Sequence, residues 1–125
     1  MGKESYITDE ERMKCRKVAD AFAELYEMTD IAVVDAGKYG FVKLQYYKLP
    51  RGFDTATTFR DSGLLFNDLW EEWLYDQLLS SAIGTPIVDF EYEDIFKCLP
   101  KETQGELMAK RDYFKERSRQ GNGNS

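Results

Sequence analysis

The stretch SGLLFNDLWEEWLYDQLLSS, residues 62–81, limits the possible folds of this chain more than any other segment. It holds two tryptophans, four carboxylates and no Lys or Arg. Read as a helix, it collects its large apolar side chains on one side and its polar side chains on the other. The apolar side comprises Leu65, Phe66, Leu69, Trp70, Trp73, Leu74 and Leu78. Asp61 or Ser62 suits the N-cap and Gly84 the C-terminal stop. A helix of about 20 residues is about 30 Å long, so one rod that covers a small sheet is predicted.

Three further segments carry helix signals. Thr8 opens the capping-box pattern TDEE, and apolar residues then recur every three or four positions, which predicts a helix over 9–28. EDIFKCL (93–99) predicts a short helix that ends before a proline. Thr103 opens a second capping box, and a final helix is expected over 104–118. Its apolar stripe is thin, so we expect this helix to be only partly buried.

Strand signals lie between the first helix and the Trp-bearing stretch. IAVVDAG (31–37) and FVKLQYYKL (41–49) surround the turn GKYG and predict a hairpin. FDTATTF (53–59) follows a Pro- and Gly-containing turn and is rich in Thr and Phe, so a third antiparallel strand is expected. IVDFEY (87–92) follows Thr-Pro and is interpreted as a further strand or an extended crossing segment.

These elements predict an α+β fold, with a small antiparallel three- to four-stranded sheet, two long helices packed on one face, and a C-terminal helical extension. A chain of 125 residues has the usual size of one domain, expected over 1–119, with a disordered tail over 120–125. No apolar run approaches the ~18 residues that span a bilayer, and the N-terminus lacks the apolar region of a signal peptide. The expected location is the cytoplasm, with no membrane contact.

The residue types present exclude several chemistries. Histidine is absent, which removes Ser-His-Asp and Cys-His systems and His-containing zinc sites. Cys15 and Cys98 lack CxxC spacing, and no glycine-rich phosphate motif occurs, so no cofactor is expected. The remaining chemical candidate is VDFEYED, where Asp89, Glu91 and Glu93 share one side if the segment is extended. They could hold Mg²⁺ or Mn²⁺ for hydrolysis, or simply be the solvated edge of a sheet.

Charge is distributed unevenly along the chain. Residues 61–96 hold nine Asp or Glu and no Lys or Arg. Asp68, Glu72 and Asp76 lie four residues apart, and such like-charged pairs reduce helix stability. Either basic residues of the first and last helices neutralise this row within the chain, or the row faces a basic partner. A second copy is one such partner, because the last helix carries Lys110, Arg111, Lys115, Arg117 and Arg119. A third interpretation is an acidic mimic of nucleic acid.

Aromatic residues of the predicted hairpin form a second candidate contact surface. Strand alternation puts Tyr46 and Tyr47 on opposite faces, so one of them faces away from the helices. With Tyr39 and Phe41, Tyr47 would form an exposed aromatic patch of the kind found in protein interfaces. Coverage of this patch by the C-terminal segment is the alternative.

Composition argues against nucleic acid as a partner, because the net charge is −6 and polyanions are repelled. The order of one helix, three strands and a second helix resembles that of the double-stranded-RNA-binding domain. That family uses lysines at the start of its second helix, where this chain has Asn67, Asp68, Glu71 and Glu72, so the family is not assigned. The sequence favours a non-catalytic protein-interaction or regulatory module that binds a protein or a second copy, with the acidic row and aromatic patch as contacts. A metal-dependent hydrolase is the competing prediction.

Overall fold

The computed structural model describes residues 6–26, 28, 30–45 and 55–120. Within them lie four α-helices, α1 (Asp9–Leu25), α2 (Ser62–Ala82), α3 (Tyr92–Cys98) and α4 (Lys101–Gln120). The strands of the described part are β1 (Ile31–Asp35), β2 (Phe41–Gln45) and β3 (Thr55–Phe59). Short 3₁₀ turns occupy Gly37–Tyr39 and Pro86–Asp89. The expected α+β class and the third strand are therefore confirmed. No helix in the described ranges is long and apolar enough to cross a membrane.

The three strands form an antiparallel meander in the order β1-β2-β3. Phe41 is the partner of Asp35 on β1 and of Phe59 on β3, which fixes the register of the sheet. Between β1 and β2 the chain turns at Gly40, where φ is 105° and an added Cβ would lie 2.4 Å from the carbonyl oxygen of Phe59. Any other residue would therefore both strain this turn and collide with β3.

Val42 and Leu44 alternate with Lys43 and Gln45 along β2, and the face that points toward the helices carries Lys43 and Gln45 instead of the two aliphatic residues. Phe41, Lys43 and Gln45 are buried, whereas Val42 and Leu44 are only partly buried. Phe41 and Phe59 pack in one cluster with apolar residues of α1 and α2. The alternation of side chains along β2 was predicted correctly, but alternation alone does not say which face of the strand the helices cover.

α1 and α2 begin where their N-cap residues predict. The Oγ1 atom of Thr8 accepts the backbone N–H of Glu11 at 3.1 Å, and Asp61 accepts the N–H of Leu64 at 3.0 Å. The carboxylate of Glu11 does not complete a capping box; it accepts the N–H of Ser62 at 2.7 Å and so ties the first turn of α2 to α1. α1 ends at Leu25 rather than at residue 28.

Asp35, the last residue of β1, joins α1 to the sheet. Its carboxylate accepts Nε of Arg12 at 3.2 Å and Nη2 at 2.9 Å, and it also binds Arg16. The backbone N–H of Gly37 donates to the same carboxylate at 2.8 Å. The Arg12 bonds, helped by Gly37, hold the pKa of Asp35 below its ordinary value of 3.8. Arg12 and Arg16 of α1 are therefore paired with a carboxylate of the same chain.

The apolar side of α2 lies in two hydrophobic clusters. The first combines Leu65, Phe66, Leu69 and Trp70 with residues of α1, β2, β3 and α4. The second lies around Leu78 and includes residues of α3 and α4. Trp70 is 4% exposed, which confirms that the Trp-bearing stretch is a helix with its apolar side inside.

The C-terminal segments differ from the prediction in three respects. Residues 87–92 form no strand: the Oγ1 of Thr85 accepts the N–H of Ile87, and Pro86 in the first helical position favours a 3₁₀ turn instead. α4 begins at Lys101, so Thr103 lies inside the helix and is not its cap. α4 is also more than a peripheral extension, because Phe114 is fully buried and stacks on Phe66 with ring centroids 4.5 Å apart. Of the expected tail, 121–125 lie outside the described residues.

Candidate functional site

The acidic row on α2 holds a buried lysine. The Nζ atom of Lys43 on β2 donates to Asp68 at 2.5 Å and to Glu72 at 2.7 Å, and its side chain is only 5% exposed. Gln45 donates to the other oxygen of Glu72 at 3.2 Å. Burial by itself lowers the pKa of Lys43, but the bonds to the two carboxylates outweigh it and leave the pKa above its ordinary value of 10.5. Lys43 is therefore a charged bridge between the sheet and α2.

This bridge changes the role of the acidic row. Asp68 and Glu72 are partly buried and bonded to Lys43, whereas Asp76 is exposed. Neutralisation within the chain was one of the three interpretations, but the cation comes from β2 and not from the first or last helix. The Lys43 ammonium group cancels one of the two negative charges and binds one oxygen of each carboxylate, so Asp68 and Glu72 attract a basic partner, or imitate nucleic acid, less well than two free carboxylates would. Asp68 and Glu72 therefore serve mainly as a contact between α2 and the sheet.

The predicted aromatic patch is not assembled among the described residues. Tyr39 is 54% exposed and lies edge-on to Tyr6 with ring centroids 5.9 Å apart. Phe41 is 2% exposed, so its prediction as a contact residue was wrong; its position on the inner face of β2 puts it in the core. Tyr47 lies outside the described residues.

The candidate metal ligands lie on separate short elements. Asp89 ends a 3₁₀ turn, Glu91 is the N-cap residue of α3, and Glu93 lies in the first turn of that helix. All three are exposed. Because the segment is not extended, they do not share one side of a strand. Within the described part of the chain, no three Asp, Glu or Cys side chains are close enough together to hold a metal ion.

A basic cleft lies between α1, the start of α2 and the second half of α4. Its volume is about 580 Å³. Five of the described residues that line it are basic, and none of them is Asp or Glu. The basic residues are Lys14 and Lys17 of α1 and Arg111, Lys115 and Arg119 of α4. The spacing of four residues on α4 puts its three cations on one side of the helix, facing the two lysines of α1.

Three of the five cations are available to a partner. Lys17, Arg111 and Lys115 have no carboxylate within salt-bridge distance in the part of the chain that the structure describes. Lys14 lies 3.5 Å from Glu10 and 3.6 Å from Glu11, and Arg119 lies 3.3 Å from Glu116. Those are contacts along one helix made by exposed Lys14 and Arg119 side chains, and such contacts are weak. A carboxylate that enters the cleft can compete for all five cations.

Apolar and backbone groups complete the lining. Val18 and Phe66 are buried at the base of the cleft, and the guanidinium carbon of Arg111 lies 5.5 Å from the centre of the Phe66 ring. Ser62 and Gly63, in the first turn of α2, also line it. The positive end of the α2 dipole is already met by two carboxylates, because Glu11 accepts the N–H of Ser62 and Asp61 accepts that of Leu64, so the positive field of the cleft comes from its Lys and Arg side chains. This lining suits an anionic group that has an apolar neighbour.

The sequence pointed to part of this cleft. Of the five basic residues singled out on the last helix, Arg111, Lys115 and Arg119 line it, and their spacing of four was the available signal. Arg117 instead binds Glu24 at 2.6 Å. Lys110 lines a separate cavity beside Trp73. Lys14 and Lys17 were missed, because only the packing of α1 against α4 brings them opposite the α4 cations.

Comparison of the chain with protein-family models, with curated proteins and with solved structures finds no match. Function is therefore inferred from the side chains of the basic cleft and of the surfaces around it.

Proposed function

We propose that the protein is a non-catalytic interaction module that binds an acidic protein segment in the basic cleft. The observation that supports this most strongly is the concentration of five cations around one concave surface, without Asp or Glu among its described lining residues. This concentration of positive charge is unusual because the chain as a whole has a net charge of −6. Lys17, Arg111 and Lys115 supply the charge that a partner carboxylate would meet first.

An acidic protein segment fits the cleft better than nucleic acid. A polynucleotide long enough to bind tightly would run from the cleft over the acidic remainder of the surface, where its phosphates would be repelled. A short peptide can restrict its carboxylates to the cleft. Its apolar side chains can also reach Val18 and Phe66 at the base, which a sugar-phosphate backbone cannot exploit.

The groups in the cleft favour binding over catalysis. Every ionisable side chain among its described lining residues is Lys or Arg. The Ser118 hydroxyl donates to the carbonyl of Phe114 in its own helix at 2.8 Å, so it is occupied and has no base beside it.

The two cysteines support a cytoplasmic location. Cys15 and Cys98 are unpaired thiols, which fits a reducing compartment.

Fluorescence anisotropy with a labelled acidic peptide tests this proposal. The probe is an octapeptide of six Glu with one Phe and one Leu, and the comparison is a single-stranded oligonucleotide of equal charge. We expect saturable peptide binding that weakens as salt rises, because screening shortens from about 10 Å at 0.1 M to about 3 Å at 1 M. The variant Lys17→Glu/Lys115→Glu should bind at least about tenfold more weakly.

A matched control separates the cleft from total charge. Lys97→Glu/Lys101→Glu changes the net charge equally at two exposed lysines outside the cleft, and it should keep the wild-type affinity within about twofold. Equal loss in both variants would assign the binding to overall charge and overturn the proposal. Tighter binding of the oligonucleotide than of the peptide would overturn the choice of a protein partner.

A further inference from the structure

Residues 88–94, with the sequence VDFEYED, form an exposed acidic and aromatic segment. Val88 is 37% exposed, Phe90 is 48% exposed and Tyr92 is 38% exposed. The four carboxylates of the segment, at positions 89, 91, 93 and 94, are also exposed. Large apolar side chains that alternate with carboxylates at the surface are unusual for a segment with no contact to make.

We propose that this segment of a second copy of the chain occupies the basic cleft. The inference rests on the proposed function, since it uses the same cleft and names the acidic partner. Copies of the chain then associate head to tail, because each contact joins the basic cleft of one copy to residues 88–94 of the next.

Charge and polarity of the two surfaces match. The cleft offers five cations around the apolar side chains of Val18 and Phe66. The segment offers four carboxylates around Phe90, which can enter the base of the cleft while its neighbours Asp89 and Glu91 meet the lysines. None of the four carboxylates has a salt-bridge partner within the described ranges of the chain. They therefore differ from Asp68 and Glu72, which Lys43 already binds.

One copy cannot fill its own cleft with this segment. The cleft contains the first turn of α2, whereas Tyr92 of the segment packs on Tyr75 of the same helix, and the rise of an α-helix from residue 62 to residue 75 is about 20 Å. Glu93 lines a neighbouring pocket that has Asn67 and Arg111 in common with the cleft. The segment is also held in place: Tyr92 stacks on Tyr75 of α2 with ring centroids 4.2 Å apart, and Ile95 is fully buried. The contact is thus between copies and heterologous, which leads to a growing chain or a closed ring.

Light scattering and sedimentation velocity on the full chain test the inference. We expect the wild-type mass to rise above that of a monomer with protein concentration at about 0.1 M salt and to return to the monomer value at about 1 M. The cleft variant Lys17→Glu/Lys115→Glu and the segment variant Glu91→Gln/Glu93→Gln should each be monomeric alone. Circular dichroism establishes that both are folded.

The decisive measurement mixes the two variants. The segment variant keeps an intact cleft and the cleft variant keeps an intact segment, so an equimolar mixture should form a dimer and nothing larger. A control variant, Glu102→Gln/Glu106→Gln, removes two exposed carboxylates of α4 and should associate like the wild type.

The outcomes distinguish this inference from the proposed function. A wild-type chain that stays monomeric at every concentration, yet binds the acidic octapeptide, overturns self-association and leaves the cleft as a site for another protein. A mixture that forms no dimer, or variants that each associate like the wild type, overturns the inference as well. Failure of the octapeptide to bind removes the proposed function itself.

Discussion

Lys43 determines how much of the α2 charge remains available at the surface. Its ammonium group is removed from water, which is costly for an isolated charge. Asp68 and Glu72 compensate that cost, and Lys43 in turn relieves the repulsion between two carboxylates spaced four residues apart on one helix. The three residues are thus one unit, and the loss of Lys43 leaves two neighbouring carboxylates without a cation.

Replacing the lysine tests this unit. Lys43→Met keeps the aliphatic part of the side chain and removes the cation, so the two carboxylates are left together at the edge of the core. We expect the free energy of unfolding, measured with urea at neutral pH, to fall by about 3 kcal/mol, the lower end of the range for breaking a buried pair. The lower end applies because Asp68 is 32% and Glu72 29% exposed and water can reach both.

A compensated variant provides the control for Lys43. Adding Asp68→Asn and Glu72→Gln to Lys43→Met removes the unpaired charges and should recover most of the loss. The raised pKa of Lys43 also means that its stabilisation is complete below pH 10.5 and disappears as the pH rises through the higher folded-state pKa. Wild-type stability in Lys43→Met alone would show that the bridge contributes nothing.

Elements whose signals are local could be predicted from the sequence. The starts of α1 and α2 follow from Thr8 and Asp61, whose side chains bond to backbone N–H groups three residues on. The hairpin follows from alternation around a glycine-rich turn. Cap and turn signals act within a few residues, so no knowledge of the rest of the fold is needed.

Features that depend on distant partners could not be predicted. The inner face of β2 carries Phe41, which packs in the core, and Lys43, which binds two carboxylates of α2, and a single strand does not contain that information. In the same way, the basic cleft needs Lys17 of α1 opposite Lys115 of α4, almost a hundred positions apart in the sequence. The sequence places three of the five cations on α4, and only tertiary packing brings the two lysines of α1 opposite them.

The burial of Phe114 in α4 also depends on distant partners and could not be predicted from the sequence. This helix has few apolar residues, yet Phe114 fills the space between Phe66 and Phe22, whose ring centroids lie 4.5 and 6.0 Å away. We expect Phe114→Ala to lower the free energy of unfolding by about 3–5 kcal/mol, because the cavity lies in the main core. Tyr113→Ala, next to it but 57% exposed, should change stability by no more than about 0.5 kcal/mol. Similar effects of both changes in urea unfolding would contradict the packing of α4.

On the scale of the whole molecule, α2 connects the two hydrophobic clusters. Its first half lies in the cluster that contains α1 and the sheet, and its second half lies in the cluster that contains α3. Trp73 and Leu74 pack against both clusters. A helix cannot easily melt in one half while the other stays packed, so the described elements should behave as the single domain that was predicted over 1–119.

Cooperativity of unfolding tests this expectation. Trp70 reports on the first cluster by fluorescence, and far-UV circular dichroism reports on all helices, so a single domain should give coincident urea transitions by both probes. Ile95→Ala removes a fully buried side chain of the second cluster and should lower the free energy of unfolding by about 2–5 kcal/mol. Both probes should shift equally, although the substitution is remote from Trp70.

The control is Ile83→Ala, at a side chain that is 64% exposed, which should leave both transitions unchanged. If Ile95→Ala shifts only the dichroism signal, α3 and its surroundings unfold separately, and the chain comprises two units rather than one.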